Sequence, residues 1–277
     1  HPEWGKFKYA HTNPEVSSTG LSMVAMEFYA GANKVRGLTE ADVNQEAVKA
    51  YVQNIENSIV HYSSTTTIFK ENVRKGGMDY ISAVALEEVT VIELNKTNMP
   101  VPLVSIYPKE GTFFHDNPFI ILNGDWVTAD QRQAATMFKD FLLLPENQKN
   151  ALTLGFRPAN PNVQMGDPFT PTFGVDPTQP KTVLEVPQPK VLVAVKDLWN
   201  AYRKESNIIL VLDVSPSMDD QDKLKNALDG IRGFVDQIRD VDQLGFIVFG
   251  GEVTELVPLG PATQTKALIR DYLDNPD

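Results

Sequence analysis

An uncharged run of apolar residues that ends in a carboxylate constrains the fold more than any other segment of the chain. Six residues without a charge, Asn207 to Leu212, precede Asp213, and this pattern predicts a fully buried strand of a parallel sheet. Asp213, Ser215 and Ser217 then stand at alternate positions where the strand ends. In open α/β sheets, ligands bind beside the carboxyl ends of the strands. The sequence therefore predicts a ligand site at this position.

The three side chains offer one carboxylate and two hydroxyls as ligands. An all-oxygen set of this kind suits a hard divalent cation that keeps some of its waters, Mg²⁺ before Ca²⁺. The plain alternative is a strand followed by an ordinary Ser/Pro turn that holds no ion. The strand before the three residues and the helical pattern after them favour the metal interpretation.

The residues after this site continue the same fold. Apolar residues recur at helical spacing through residues 223–238, and a second buried strand follows at residues 245–249. Together with the Asp-x-Ser-x-Ser motif, this order resembles the opening of a von Willebrand factor A domain with its metal-ion-dependent adhesion site. The resemblance implies that Asp213, Ser215 and Ser217 hold a cation that bridges to a carboxylate of a protein partner and does no catalysis.

The remaining metal ligands of that family, a Thr and a later Asp, come from loops further along the domain. No matching Gly-Gly-Thr segment occurs before Asp277. The resemblance therefore implies that residues 206–277 are the N-terminal part of an A-domain. We expect its metal set to be incomplete.

Composition excludes several classes of function. The net charge of −11 and the pI of about 4.9 argue against a nucleic-acid or anionic-membrane partner. The absence of cysteine excludes disulfides, zinc thiolate sites and cysteine nucleophiles. No apolar run approaches the ~20 residues of a membrane span. No signal peptide is visible, and His1-Pro2-Glu3 is not a natural start, so we expect that an export leader is missing.

Proline content divides the chain. Prolines crowd residues 158–189, which predicts a connector in extended or polyproline conformation over a surface. A short amphipathic segment at residues 191–202 then predicts a helix that leads into the strand at Asn207. We therefore predict a first region at residues 1–157, a connector with a short helix at 158–205, and the A-domain from residue 206.

Two runs of hydroxyl side chains stand at predicted helix starts in the first region. One run comprises Ser17, Ser18 and Thr19, and the other comprises Ser64, Thr65 and Thr66. N-capping explains one hydroxyl at each helix start. The alternative is an anion site, where backbone N–H groups and the helix dipole face a bound oxyanion and the hydroxyls add donors. We expect the two runs to lie close enough to share one ligand.

A further helix is predicted to begin at Thr128, whose hydroxyl and Gln131 form a capping-box pattern. Its apolar residues recur at helical spacing. The pattern predicts that Phe138, Phe141 and their apolar neighbours face inward.

The order of three short segments between Trp4 and Pro158 resembles the later part of a bacterial extracellular solute-binding protein of the two-lobed, type II kind. The segments are Pro-x-x-Ser-Ser-Thr-Gly ending at Gly20, Tyr-Pro-Lys-Glu-Gly-Thr beginning at Tyr107, and Gly-Phe-Arg-Pro beginning at Gly155. The resemblance implies that helix N-termini and hydroxyls of both lobes close on a small polar solute or oxyanion.

The resemblance also implies which residues bind the solute. The hydroxyl run at Ser17, Ser18 and Thr19 comes first, followed by the run at Ser64, Thr65 and Thr66. Glu88 and Glu110 are further candidates, although either can instead make a hinge salt bridge. Residues 1–105 correspond to the second lobe, and the chain returns to the first lobe at about residues 106–157. Relative to the family, the beginning of the first lobe is absent, so we expect half of the cleft to be missing or supplied by another chain.

The two resemblances together imply an α/β protein: part of a two-lobed type II solute-binding fold, followed by the first half of a doubly wound, Rossmann-like A-domain. We predict an exported, cell-envelope-associated binding protein with a small-solute cleft, a divalent-metal site for a protein partner and no organic cofactor. One alternative is an intracellular A-domain protein that assists an ATPase in metal insertion. A hydrolase that uses paired carboxylates such as Glu87-Glu88 is a weaker alternative, because adjacent carboxylates usually face different ways. The histidine-pair, nucleophile-elbow and phosphate-loop motifs of other enzymes are absent as well. We therefore predict that the protein is not an enzyme.

Overall fold

The computed structural model describes residues 5–97 and 99–275, apart from the side chains of Asp219 and Gln221. The residues His1-Pro2-Glu3, which we predicted not to be a natural start, lie outside these described residues. The chain divides into two compact units, His1–Arg203 and Lys204–Asp277. Both units mix helices with strands, so the predicted α/β class is confirmed. Within the described part of the chain, every helix falls short of the length and apolar character that crossing a membrane would require.

The first unit is built around a parallel sheet. Its strands are β1 (Tyr9–Thr12), β2 (Ile59–Ser63) and β3 (Ala83–Val84), in the order β2-β1-β3. Thr12 of β1 lies opposite Ser63 of β2, and Tyr9 lies opposite Ala83 of β3. The carboxyl ends of all three strands therefore meet at one edge of the sheet.

Helices connect and flank these strands. They are α1 (Ser18–Gly31), α2 (Glu40–Val43), α3 (Glu46–Glu56), α4 (Thr66–Tyr80), α5 (Glu88–Asn95), α6 (Ala129–Leu142), α7 (Pro145–Thr153) and α8 (Pro189–Tyr202). The capping box predicted at Thr128 is formed, and Thr39 forms another, so local hydrogen bonds fix where α2 and α6 begin. Gly77 interrupts α4 with a φ of +50°, a backbone angle that glycine adopts more easily than other residues.

Two helix layers cover the sheet. Ala10 of β1 belongs to a buried cluster with Phe69 of α4 and Leu94 of α5. The next residue, His11, points to the opposite face, since side chains alternate along a strand. There its ring lies 6.5 Å from that of Trp199 on α8. The helices α1, α3 and α8 form the apolar core on this second face.

The proline-rich stretch and α8 both contribute to this unit. Four apolar side chains of the stretch are buried, namely Val163, Phe169, Val175 and Leu184. Its backbone also exchanges hydrogen bonds with Thr112, whose N–H donates to the carbonyl of Thr182 and whose carbonyl accepts from Leu184. The stretch predicted as a surface connector thus lies inside the first compact unit, which extends to Arg203.

The second unit begins with the predicted strand, helix and strand. These are β4 (Asn207–Asp213), α9 (Lys223–Gln237) and β5 (Gln243–Phe249), and they are followed by β6 (Val253–Pro261) and α10 (Ala262–Asp274). The sheet order is β4-β5-β6, with β4 parallel and β6 antiparallel to β5. The predicted pattern at residues 207–249 is confirmed.

The prediction that β4 is fully buried is wrong for the described residues. Ile209 and Val211 are 51% and 60% exposed, whereas Leu212 is buried. The reason is that α9 and α10 contact each other and share one apolar core, so they cover the same face of the sheet. The alternate residues of β4 face the other side.

Candidate functional site

The end of β1 is the point at which the strand order of the first sheet reverses. The chain passes from β1 to its neighbour β2 on one side, and then to β3 on the other side of β1. In open α/β sheets, ligands bind outside the carboxyl ends of the strands at such a reversal. Here the start of α1, which follows β1, meets the start of α5, which follows β3.

A cleft of about 970 Å³ opens at this position. Ser18 and Thr19 of α1 line it, together with Glu87 and Glu88 at the start of α5. Apolar side chains form much of the remaining wall, among them Met23, Met26, Phe113 and Phe114. An apolar cleft with a few convergent polar groups is the usual form of a small-molecule site, at volumes of about 300–1,000 Å³.

Close packing fixes the first turn of α1 against the end of β1. Ser17 is the N-cap residue, but its hydroxyl accepts a hydrogen bond from Thr12 Oγ1 at 2.8 Å and does not cap its own helix. A side chain at Gly20 would place its Cβ 2.0 Å from the carbonyl oxygen of Thr12. Only glycine therefore allows this approach, which sets Ser18 and Thr19 at the cleft.

Glu87 lies among several polar side chains in the cleft. The Thr19 hydroxyl donates a hydrogen bond to Glu87 Oε1, and His115 Nδ1 lies 3.6 Å from the same oxygen. The other ring nitrogen of His115 lies 2.7 Å from the hydroxyl of Ser22. Burial acts to raise the pKa of Glu87, but the interaction with His115 and the hydrogen bond from Thr19 outweigh it and hold this pKa below its ordinary value. Glu87 is thus an ionised acceptor.

Glu88 has a different set of partners. Arg157 binds it through two parallel hydrogen bonds, from Nε to Oε2 at 2.6 Å and from Nη2 to Oε1 at 2.8 Å. The hydroxyl of Tyr107 also donates to Oε1. Burial, followed by this hydrogen bond, raises the pKa of Tyr107 to about 12. The hydrogen bond to Glu88 likewise raises the pKa of Arg157. The carboxylate of Glu88 is therefore neutralised inside the protein.

The second hydroxyl run, Ser64 to Thr66, follows β2 at the same edge of the sheet. The order β2-β1-β3 places β1 between β2 and β3, and the cleft lies at the ends of β1 and β3. Ser63 pairs with Thr12, and Thr65 caps α4 by accepting a hydrogen bond from the N–H of Ile68 at 3.3 Å. In the cleft that the described residues enclose, Ser64, Thr65 and Thr66 form no part of the wall, and neither does Glu110. Glu110 Oε1 instead lies 3.7 Å from Lys109 Nζ. Sharing of one ligand by the two hydroxyl runs stays a prediction.

The three oxygen ligands predicted in the second unit lie close together at the end of β4. The N–H of Ser215 donates to Asp213 Oδ1 at 2.8 Å, and the hydroxyls of Ser215 and Ser217 are 3.1 Å apart. The hydrogen bond from the Ser215 backbone, followed by that from its side chain, lowers the pKa of Asp213. Asp213 thus offers an ionised carboxylate beside two hydroxyls, a donor set that fits Mg²⁺.

Several residues of the cleft were not nominated from the sequence. Glu87, His115, Tyr107 and Arg157 all line it. Tyr107 and Arg157 belong to the Tyr-Pro-Lys-Glu-Gly-Thr and Gly-Phe-Arg-Pro segments on which the family resemblance rests. These segments could therefore have identified both residues from the sequence. His115 had no signal in the sequence, because its partners Ser22 and Glu87 are distant along the chain.

Two family comparisons agree with this division of the chain. Residues 3–177 match the family described as bacterial extracellular solute-binding protein. Residues 207–276 match the von Willebrand factor type A domain. A comparison with curated proteins gave no match, and neither did one with solved structures.

The family match over residues 3–177 therefore places the chain in a solute-binding class of protein. The chain belongs to the bacterial extracellular solute-binding protein family and carries a von Willebrand factor type A domain in its C-terminal region. This family indicates an exported protein whose ligand is a small solute. Members of both families are typically binding proteins without enzymatic activity.

Proposed function

We propose that the protein acts at the cell envelope and that the cleft of its first unit binds a small, uncharged solute rich in hydroxyl groups, such as a sugar. The observation that carries this proposal is the position of the cleft at the ends of β1 and β3, where Ser18, Thr19 and Glu87 stand beside apolar walls. Hydroxyls and a carboxylate can replace the hydration of sugar hydroxyls, while Phe113 and Phe114 offer apolar surface to a sugar ring.

The charges of the cleft favour an uncharged solute over an oxyanion. Glu87 is ionised, and the guanidinium of Arg157 is committed to Glu88. An oxyanion is the second candidate, because the N-terminus of α1 carries a partial positive charge that attracts anions. The exported location of the family also favours this function over an intracellular role in metal insertion.

Calorimetric titration of the protein with monosaccharides, disaccharides, inorganic phosphate and sulfate tests the proposal. We expect a sugar to bind and Thr19→Val to weaken its binding about tenfold, since one hydrogen bond is worth roughly 1.4 kcal/mol. Thr136→Val is the control, because Thr136 is also a threonine within a helix but does not line the cleft within the described structure. Joint replacement of Ser17, Ser18 and Thr19 by alanine should weaken binding further.

Two results would contradict this function. Equal affinities of Thr19→Val and the native protein for the sugar would show that the hydroxyl run does not bind the solute. Binding of phosphate or sulfate, with no binding of any sugar, would establish the oxyanion alternative.

We also propose that Asp213, Ser215 and Ser217 hold Mg²⁺, or Ca²⁺ in its place, and that the ion bridges to a carboxylate of a protein partner. The close approach of the three side chains and the match to the A-domain family support this role. We expect Asp213→Ala to abolish Mg²⁺ binding in calorimetry on an extended A-domain, because it removes the carboxylate, and each Ser→Ala to weaken it less. Asp236→Ala, at an exposed position of α9, is the control. Unchanged affinity in Asp213→Ala would reject the site.

A further inference from the structure

Three ionisable side chains meet in the interior of the first unit, away from the cleft wall. His11 of β1, Glu27 of α1 and Glu56 of α3 are 0%, 2% and 0% exposed. One ligand atom of each lies within 4.8 Å of those of the other two. Buried charged groups are stable only when they are paired or coordinate a metal. This cluster therefore needs either bound protons or a cation to neutralise it.

Hydrogen bonds fix the orientation of the His11 ring. Its Nδ1 lies 2.8 Å from the carbonyl oxygen of Thr12, which can only accept, so Nδ1 carries a proton. Its Nε2 lies 2.9 Å from Glu56 Oε1. A lone pair on Nε2 would repel the carboxylate, so either a proton or a cation lies between them. Histidines that ligate metals are commonly held by a backbone carbonyl in this way.

Glu56 is held by a second set of donors. Its Oε2 accepts hydrogen bonds from Trp199 Nε1 at 3.0 Å and from the hydroxyl of Tyr62. These two bonds satisfy one oxygen and direct the other, Oε1, towards His11. Such outer partners orient the ligands of metal sites.

Glu27 lacks any comparable partner. Both of its carboxylate oxygens are buried, and neither has a hydrogen-bond partner among the described residues. One proton would neutralise Glu27 but would serve only one of its two oxygens. A divalent cation would neutralise both carboxylates at once and leave His11 uncharged.

We propose that His11, Glu27 and Glu56 form a buried site for a divalent transition-metal ion, Zn²⁺ or Mn²⁺. One imidazole nitrogen with two carboxylates suits these ions better than Mg²⁺ or Ca²⁺, which prefer oxygen ligands throughout. The site links β1, α1 and α3, so its role is structural: bound metal stabilises the packing of α1 and α3 against the sheet.

Metal analysis of the full chain tests this site. The Asp213→Ala background removes the carboxylate of the strand-end site in the second unit, so that any remaining metal belongs to the first. The protein is unfolded, refolded with Zn²⁺ or Mn²⁺, washed with EDTA and measured by inductively coupled plasma mass spectrometry. We expect about one equivalent of metal to resist the wash, and the melting temperature to rise with bound metal.

A matched pair of variants locates the ion. Glu27→Gln keeps the shape of the side chain but removes its charge, and we expect it to retain no metal. Glu46→Gln, at an exposed position of α3 that pairs with Lys49, should retain as much as the background protein. Equal metal content in Glu27→Gln and the background would overturn the proposal.

Two further outcomes decide the case if Glu27→Gln does not fold. X-ray absorption at the metal edge of the refolded background protein should show one nitrogen with carboxylate oxygens. A shell of oxygen alone would reject the site. Absence of retained metal, with the same melting temperature in EDTA and in Zn²⁺, would show that protons alone fill the cluster and would also reject it.

Discussion

At the scale of residues, Glu87 and Glu88 are neighbours in the chain but differ in chemistry. Arg157 neutralises Glu88 within the protein, whereas Glu87 keeps a negative charge and accepts a hydrogen bond from Thr19 of the cleft. This difference in their partners follows from the position of the two residues at the start of α5. Glu87 is the N-cap residue of α5 and Glu88 is the first residue of that helix, so their side chains leave the backbone in different directions. Glu87 is thus available to a solute.

The ionisation of Glu87 gives a prediction for the pH dependence of stability. Its pKa in the folded protein lies below the ordinary value of 4.5, so below this pH the unfolded chain binds more protons. The contribution of Glu87 to the free energy of unfolding is therefore present above pH 4.5 and is lost as the pH falls through its folded pKa. Urea denaturation between about pH 5 and about pH 3 should show a smaller loss of stability in Glu87→Gln than in the native protein. An equal loss in both would contradict the prediction.

At the scale of elements, the start of α1 depends on a single close approach of backbones. The Cβ of an alanine at position 20 would lie 2.0 Å from the carbonyl oxygen of Thr12, which is far inside contact distance. Since Ser18 and Thr19 occupy the same turn, a shift of α1 would also displace the hydroxyls from the cleft. Packing and the proposed solute binding are therefore linked at this helix end.

Replacement of two glycines by alanine tests this dependence. Gly20→Ala should lower the melting temperature and weaken solute binding, because α1 must move away from β1. Gly230→Ala in α9 meets nothing within 4 Å and should instead stabilise its unit by about 0.5–1 kcal/mol, since alanine favours helix. Thermal melts and calorimetry of both variants provide the measurement. A Gly20→Ala protein with native stability and affinity would refute the link.

The helix α6 shows where the sequence pattern was misleading. Its apolar residues recur at helical spacing and it is capped as predicted, but Phe138 and Phe141 are 53% and 52% exposed. The prediction that they face inward is therefore wrong for the described residues. Periodicity identifies an apolar face of a helix, but it does not say whether another element covers that face.

This exposure predicts a difference between two phenylalanines. Phe69 of α4 is fully buried, and Phe69→Ala should destabilise the first unit by about 3–5 kcal/mol. Phe138→Ala should lower the free energy of unfolding by about 1 kcal/mol, because its ring is half exposed and contacts the rings of Phe119 and Phe141. Urea denaturation of both variants measures the difference. Similar losses in both would indicate that another surface covers α6 in solution.

At the scale of the whole molecule, the two compact units meet in sequence at residues 203 and 204. The first unit includes α8, whose buried residues Val191, Val195 and Trp199 pack with those of α1 and α3. The proline-rich stretch adds further buried side chains to the same unit. Its core is therefore assembled from residues that are far apart along the chain.

Two fragments test where the first unit ends. A fragment of residues 1–203 should fold, because it retains α8 and the buried side chains of the proline-rich stretch. A fragment of residues 1–157 should not fold, since it loses all of these and would expose the apolar faces of α1 and α3 to water. Amide NMR spectra distinguish the two outcomes. Dispersed spectra from the shorter fragment would place the boundary at residue 157 instead.

Local patterns in the sequence predicted the elements but not their long-range partners. The order of β4, α9 and β5 could be predicted, because each buries its own stripe of apolar residues. The pairing of Glu88 with Arg157 joins residues 69 positions apart, and that of His11 with Glu56 joins residues 45 apart. No spacing rule connects such residues. Glu27 lies among the buried apolar residues of α1, and only the folded arrangement shows that it faces two other ionisable groups.

The contact between Trp199 and Glu56 makes the fluorescence of Trp199 sensitive to the charge of Glu56. The chain has three tryptophans; Trp199 is 2% exposed, whereas Trp126 is 70% exposed. Excited indole moves electron density away from its N–H, so a carboxylate at that N–H shifts the fluorescence to longer wavelength. A cation that neutralises Glu56 should reverse this shift. In a protein with Trp4→Phe and Trp126→Phe, the emission colour of Trp199 would therefore report the charge state of the buried cluster.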